Sequence, residues 1–141
     1  MTLEAIVEPD TGTIRIELAP EVRLGRILEE LSRNIGGTRS VTIGDSQGLP
    51  VAAVDRTGNS MAATAMATLA LNSARAICAN LDLPDLCDVT IEGRGWKVFV
   101  HYLGPSFTLF IVTAGDVDPA FVKVEIERHV PELHEILVQM G

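Results

Sequence analysis

Apolar and polar residues alternate in two short segments near the start of the chain. The apolar positions are Leu3, Ala5, Val7, Ile14, Ile16 and Leu18. A period of two places such residues on one face of a β-strand. Residues 8–12, between the two segments, include Pro9, Asp10 and Gly12, which favour a turn. The pattern therefore predicts a β-hairpin over residues 3–18.

A helical period follows over residues 20–35. Apolar residues recur three or four positions apart, with charged residues between them, at Val22, Leu24, Ile27, Leu28, Leu31 and Ile35. Gly36 and Gly37 end the pattern, because glycine adopts the left-handed conformation found at many helix C-termini. We predict an amphipathic helix that packs on a sheet.

Five further segments predict strands, over residues 39–45, 49–55, 88–92, 96–103 and 107–113. Asp45-Ser46-Gln47-Gly48 predicts the turn between the first two, and glycine-containing turns separate the last three. The final strand is apolar on both faces, with Leu109 and Ile111 on one side and Phe110 on the other. It is expected to lie centrally in the sheet, covered on both sides.

The closing segment predicts a helix that begins with Asp118 as N-cap and Pro119 in the first turn. We expect its buried stripe to consist of Phe121, Val124, Val130, Leu133, Leu137 and Met140. A strand over residues 122–126 stays open as an alternative, because apolar residues also alternate there. Pro131 would kink or interrupt a helix.

Residues 60–81 predict a long helix with a single charged residue, Arg75. Asn59 or Ser60 is the expected N-cap, and Pro84 stops the helix. The segment is not a predicted membrane span, because alanine dominates it and six Ser, Thr and Asn residues interrupt the apolar run.

The two faces of this helix have different expected roles. One face is expected to pack on the sheet and consists of Ala63, Met66, Ala70, Ser73, Ile77 and Leu81. The opposite face carries Met61, Thr64, Ala65, Thr68, Leu71, Asn72 and Arg75. Its low charge is typical of an interface core, so we predict that a second chain covers it in a homodimer. Coverage by another element of the same chain, or plain exposure to solvent, stays open.

Together the elements predict an α+β fold, an antiparallel sheet of about five strands sandwiched between helices, with an extra N-terminal hairpin. The 141 residues are enough for one core without disulfides or metals. With 19 acidic residues against 11 basic ones, the chain has a net charge of −8, which disfavours nucleic acid as a partner.

Cys78 and Cys87 lack Cys-x-x-Cys spacing and are expected to be small buried residues in a reducing compartment. The first residues lack a signal-peptide pattern, and we expect a cytoplasmic protein.

Candidate chemistry is sparse. Residues 44–48 match a Gly-x-Ser-x-Gly nucleophile elbow, but that motif joins a strand to a helix, whereas Pro50 and the following residues predict a second strand. A hydrolase that uses Ser46 is kept only as a minor alternative. His129 and His134 are five residues apart, not on one helical face, and no phosphate-binding loop is present. We expect no catalytic residue, no metal and no cofactor.

Several strings in sequence order resemble the roadblock domain family, which includes the roadblock dynein light chain and bacterial and archaeal regulators of small Ras-like GTPases. Leu28-Glu29-Glu30-Leu31 leads through Gly36-Gly37 to Val41, and Gly48-Leu49-Pro50-Val51-Ala52 lies in the first hairpin of the sheet. Residues 62–81 resemble the alanine-rich second helix, and Val89-Thr90-Ile91-Glu92-Gly93 the strand beyond it. The resemblance covers residues 21–141 as a roadblock-like domain and leaves residues 1–20 as a hairpin extension.

The resemblance implies a non-catalytic dimer, made with itself or with a paralogous roadblock chain, that regulates or scaffolds a small Ras-like GTPase. It implies that second helices pack together and that the strand carrying Val89 and Ile91 meets its counterpart. A structural adaptor in a motor- or membrane-associated complex, without direct GTPase regulation, is the alternative function. A related profilin or longin sandwich would have similar layers with another strand order.

Overall fold

The computed structural model of the chain describes residues 3–55, 58 and 60–140, and has the predicted α+β architecture. Asn59, one of two predicted N-caps, lies outside the described residues. The elements are β1 (Leu3–Val7), β2 (Ile14–Leu18), α1 (Pro20–Asn34), β3 (Thr38–Asp45), β4 (Pro50–Asp55), α2 (Ser60–Asn80), β5 (Asp88–Gly93), β6 (Trp96–Tyr102), β7 (Phe107–Ala114) and α3 (Pro119–Met140). Every predicted strand and helix is confirmed within a few residues at its ends.

The main sheet is antiparallel and has the strand order β4-β3-β7-β6-β5. The central position predicted for the last strand is confirmed, because β7 pairs with both β3 and β6. Leu109 and Ile111 of β7 are buried on one side of the sheet and Phe110 on the other. Strands β4 and β5 are the two edge strands of this sheet.

The larger core lies between the sheet and the helices α1 and α3. Its fully buried residues include Leu24, Leu28 and Leu31 of α1 and Leu133 and Ile136 of α3. Burying a Leu or Ile side chain contributes about 1.5–3 kcal/mol, so this layer supplies most of the hydrophobic stabilisation of the chain. The predicted contact of α1 with a sheet is confirmed.

The buried residues of α3 differ from those that were predicted. It continues through Pro131 as one helix, so the strand alternative for residues 122–126 is wrong. The buried positions are Val122, Glu125, Ile126, His129, Leu133, Ile136 and Leu137. Phe121 and Val124, predicted to be buried, are 45% and 55% exposed. The buried stripe contains a glutamate and a histidine, so the apolar positions alone gave the wrong phase in the first half of the helix.

Those two polar residues are satisfied at the contact between α1 and α3. Glu125 accepts a hydrogen bond from Asn34 Nδ2 at 3.2 Å and pairs with Arg128 at 2.7 Å. The Nδ1 atom of His129 lies 2.7 Å from the backbone oxygen of Glu125. Buried polar groups with such partners avoid the desolvation cost that an unpaired group would carry.

The other face of the sheet is covered by α2 and by Leu86 of the following loop, over a smaller core of Ala67, Leu71, Val100 and Phe110. The helix comes very close to β3, because a Cβ atom at Gly44 would overlap the side chain of Thr64. Glycine at position 44 therefore sets where the first half of α2 lies. No helix among the described residues is long and apolar enough to cross a bilayer.

The predicted N-terminal hairpin is confirmed as β1 and β2, which pair from Leu3↔Leu18 to Val7↔Ile14. It forms a separate two-stranded sheet and adds no strand to the main one. The assignment of residues 1–20 and 21–141 to two units stays a prediction.

Candidate dimerisation surface

The structure reverses the two predicted faces of α2. Thr64, Thr68 and Leu71, predicted to meet a second chain, are only 0%, 8% and 1% exposed and pack on the sheet of the same chain. Met66 and Ile77, predicted to pack on the sheet, are 65% and 59% exposed. Met61, Ala65 and Asn72 of the predicted interface do lie on the exposed side.

The physical reason for the reversal lies in the strand beneath the helix. The residues of β3 that face α2 are small or hydroxylated, as at Thr42 and Gly44, and Thr64 occupies the space that a Cβ atom at Gly44 would fill. Since α2 carries apolar residues around its whole circumference, hydrophobicity alone did not distinguish its two sides.

The exposed side of α2 is a continuous uncharged surface. It is called the α2 surface below and consists of Met61, Ala62, Ala65, Met66, Leu69, Asn72, Ser73, Ala76 and Ile77. These residues span about half of the helix circumference at 100° per residue. The only charged residue of the helix, Arg75, points away from this surface, with its guanidinium 3.8 Å from the ring centroid of Tyr102. The outer face has the low charge that was predicted, although most of its residues differ from those predicted and Arg75 is not among them.

The open edge strand β5 lies beside the α2 surface. Val89, predicted to be part of the interface, is half-buried against the α2 core, and Ile91 is 36% exposed. An apolar groove of about 200 Å³ runs between the helix and this strand. Its lining consists of Ala63, Met66, Ala67, Ile91, Val98, Phe110 and Val112. The groove joins the α2 surface to the edge of the sheet in one apolar area.

The contact between α2 and the sheet contains hydroxyl groups of two kinds. The hydroxyl of Thr64 donates a short hydrogen bond to the backbone oxygen of Ser60 one turn earlier. The hydroxyls of Thr42 and Thr68 are buried and have no hydrogen-bond partner within the described part of the chain. An unpaired buried hydroxyl costs about 1–3 kcal/mol in mutational data, so the contact is weaker than an apolar one of the same size.

The segment around Ser46 is a hairpin turn, as expected. Asp45 Oδ1 accepts hydrogen bonds from the backbone nitrogens of Gln47 and Leu49 at 2.9 and 3.0 Å. Gly48 has a φ of +81°, the left-handed conformation that the turn requires. The turn joins the antiparallel strands β3 and β4, so it lacks the strand-to-helix geometry of a nucleophile elbow.

The histidines, cysteines and carboxylates are the remaining candidate ligands. Among the described residues, no group of three or more His, Cys, Asp or Glu side chains is arranged to hold a metal ion. Burial lowers the pKa of His101 below its ordinary value of 6.5, partly offset by the carboxylates of Asp88 and Glu127. Asp118 accepts a hydrogen bond from the backbone nitrogen of Ala120 at 3.0 Å, which confirms it as a helix cap.

The cysteines are less buried than predicted. Cys78 is half-buried in α2, and Cys87 is exposed in the loop before β5. The expectation that both are buried hydrophobic residues is therefore wrong for Cys87. Both thiols are free.

Comparison with solved structures identifies the fold. The Roadblock/LC7 domain from Streptomyces avermitilis superposes with a TM-score of 0.76 at 18% sequence identity, over 81% of this chain and 97% of that one. A structure described as MglB with tetrameric arrangement gives a TM-score of 0.75 at 20% identity, over 84% of this chain and 90% of that one. No family model matches the chain, and no curated protein matches its sequence. The chain therefore has the fold of roadblock domains, as the sequence strings indicate.

A profilin fold is also similar, but the agreement is lower. Profilin IA from Acanthamoeba castellanii superposes with a TM-score of 0.55 at 16% identity, over 79% of this chain and 96% of that one. Within this group of layered α+β folds, the roadblock arrangement describes the chain better than the profilin alternative.

Proposed function

We propose that this chain is a non-catalytic, dimeric roadblock-type regulator or scaffold of a small Ras-like GTPase. The observation that carries the proposal is the uncharged α2 surface beside the open edge of β5, on a chain with the roadblock fold. The GTPase partner is proposed from the family resemblance and from the roadblock fold. The dimer is supported by the chain's own residues.

The α2 surface has the composition of a protein interface and supplies more than half of the area of a standard one. Met61, Met66, Leu69 and Ile77 are each between 58% and 66% exposed. They present apolar area on the order of 500 Å² per copy, before the smaller residues and β5 are added, against about 800 Å² per partner in a standard interface. Alanine and serine between them allow a second helix to approach closely. A solvated helix would instead carry Lys and Glu at such positions.

The edge strand β5 extends the proposed contact. As the last strand of the sheet, it has backbone groups on its outer side that no strand in the described part of the chain pairs. An unprotected edge favours pairing with another strand. Ile91 and the apolar groove connect this edge to α2, so packing of α2 against a second α2 brings two β5 strands close together. The isologous arrangement is the commonest one for homodimers.

The dimer is tested by light scattering on the full chain. We expect a dimer at tens of micromolar, and a monomer for Leu69→Glu/Ile77→Glu, because both glutamates would be buried at the contact. The matched control is Val138→Glu, since Val138 of α3 is 79% exposed and far from the α2 surface. A monomeric wild-type protein, or a dimer that survives the double substitution, contradicts the proposed contact.

The GTPase is tested by capture from a lysate of the source organism, with GDP or a non-hydrolysable GTP analogue present. We expect nucleotide-dependent capture of a protein that has a Gly-x-x-x-x-Gly-Lys-Ser/Thr loop, and its loss with the Leu69→Glu/Ile77→Glu variant. Capture that is the same with GDP and with the GTP analogue instead supports the adaptor function, in which the dimer assembles a complex without regulating a GTPase.

A further inference from the structure

The N-terminal hairpin has its apolar side turned to solvent. The strand register places three pairs on this side, Leu3 with Leu18, Ala5 with Ile16, and Val7 with Ile14. These six residues are called the hairpin surface. Leu3, Val7, Ile14 and Ile16 are between 57% and 64% exposed, so no other part of the chain within residues 3–55 and 60–140 covers most of the surface.

The polar side of the hairpin is the one connected to the rest of the chain. Arg15 on this side pairs with Glu8 at 2.7 Å and with Glu17 at 2.9 Å. Glu17 in turn lies 4.0 Å from Arg23 of α1, and Arg23 lies 3.6 Å from Glu135 of α3. An antiparallel sheet with one solvated face normally turns its apolar side inward and its polar side to water. This hairpin does the opposite.

Exposing the apolar side of the hairpin to water lowers the stability of a single chain. A two-stranded hairpin is marginally stable in water, and it gains stability when its apolar face packs against another layer. We propose that the hairpin surface packs face to face against the hairpin surface of a second copy of this chain.

The chemistry of the surface favours an identical copy. All six positions are aliphatic, and a twofold axis through the middle of the face superposes aliphatic pairs on aliphatic pairs without burying a charge. The hairpin itself is acidic, since residues 3–18 contain Glu4, Glu8, Asp10 and Glu17 and one basic residue, Arg15. This charge opposes docking on an anionic membrane, which attracts basic residues.

The exposed area of the hairpin surface indicates whether one hairpin contact would be stable by itself. The four large side chains expose roughly 450 Å² per copy, so one pair of hairpins buries about 900 Å², less than the 1,200 Å² or more of a stable interface. The next step of assembly rests on the proposed α2 dimer, which carries two hairpins. When both hairpins contact a second dimer, the buried area doubles to about 1,800 Å². The hairpins therefore join two dimers into a tetramer.

Analytical ultracentrifugation of the full chain over a range of concentrations tests this proposal. We expect wild-type dimers to associate into tetramers, and Ile14→Thr/Ile16→Thr to raise the dissociation constant of the tetramer at least tenfold. Threonine keeps a high strand propensity, so the hairpin itself is retained. The matched control is Ile6→Thr on the polar side, which is expected to change the constant by less than threefold. Circular dichroism checks that each variant is folded.

A cross-linking measurement checks the same contact independently of its affinity. Ala5→Cys, in a Cys78→Ser/Cys87→Ser background, is expected to cross-link between copies with a short bis-maleimide. Glu4→Cys in the same background points to the other side of the hairpin and is expected not to cross-link.

The outcomes separate this inference from the proposed function. Dimers that do not associate further, or tetramers unaffected by Ile14→Thr/Ile16→Thr, overturn the hairpin contact and leave the α2 dimer standing. A wild-type dimer lost with Ile14→Thr/Ile16→Thr but kept with Leu69→Glu/Ile77→Glu supports the hairpin contact and overturns the α2 dimer. A wild-type monomer overturns both. Binding to neutral phosphatidylcholine vesicles that requires Ile14 and Ile16, without self-association, overturns the proposal in favour of a membrane.

Discussion

Arg75 of α2 lies over the ring of Tyr102 in β6, 3.8 Å from the ring centroid. This contact directs the only charge of the helix toward the sheet and leaves the α2 surface uncharged. A cation that sits over an aromatic ring is attracted by the negative face of the ring. One intramolecular contact thus helps to keep the outer side of the helix suitable for packing against another chain.

Removing this charge is expected to affect the fold rather than the dimer. Arg75→Met keeps the apolar stem of the side chain and loses the attraction to Tyr102, which is worth about 0.5–1 kcal/mol. We expect the free energy of unfolding in urea to fall by about that amount, with an unchanged dimer dissociation constant. Arg94→Met, in the exposed turn between β5 and β6, is the control with the same change in net charge. A dimer weakened by Arg75→Met alone would show that Arg75 belongs to the interface after all.

Two threonines one turn apart in α2 are expected to respond in opposite ways to replacement by valine. Thr68 has a buried hydroxyl without a partner in the described residues, so Thr68→Val is expected to raise the free energy of unfolding by about 1 kcal/mol. The Thr64 hydroxyl donates to the Ser60 carbonyl, so Thr64→Val is expected to lower it by about 0.5–1 kcal/mol.

Both valine variants have the shape of the threonine they replace, so each serves as the control for the other in urea unfolding. If Thr68→Val destabilises the protein as much as Thr64→Val, the Thr68 hydroxyl has a partner, such as an ordered water molecule, and the assignment of an unpaired group is wrong.

His101 is expected to make the protein less stable in mild acid. Its pKa is lowered in the folded chain by burial, partly offset by Asp88 and Glu127. As the pH falls below 6.5, the unfolded chain takes up the proton first, so the free energy of unfolding decreases toward pH 5. His101→Gln is expected to reduce this decrease in urea unfolding between pH 7 and pH 5.

The control for this pH dependence is His134→Gln, because His134 of α3 is exposed. Its charge acts on His101 only as a weaker cause of the lowered pKa, so most of the pH dependence is expected to remain. An unchanged slope in His101→Gln would mean that other groups carry the acid sensitivity.

The elements and their order were predictable because each depends on nearby residues. Gly48 at a position that requires a positive φ marks the turn between β3 and β4, and Asp118 marks the start of α3. The burial of β7 on both faces follows from its own apolar residues. Local signals of this kind act over a few residues and do not depend on what packs against them.

The orientation of α2 was not predictable in this way. Its helical period contains Met, Leu and Ile on one side and Ala, Thr and Leu on the other, and the difference in hydrophobicity is small. The side that packs on the sheet depends on Gly44, twenty residues before Thr64, because the missing Cβ atom leaves the space that Thr64 occupies. The buried side of α3 was not predictable either, because it contains the polar residues Glu125 and His129.

The sequence by itself determined the α+β layers, the strand-rich hairpins, the resemblance to roadblock domains and a helix over residues 60–81 with one charge. Only the tertiary structure decided which side of that helix faces outward, and that the N-terminal hairpin turns Ile14 and Ile16 to solvent. The reason is physical: periodicity fixes which residues share a face, whereas the space and polarity of distant strands decide which face is buried.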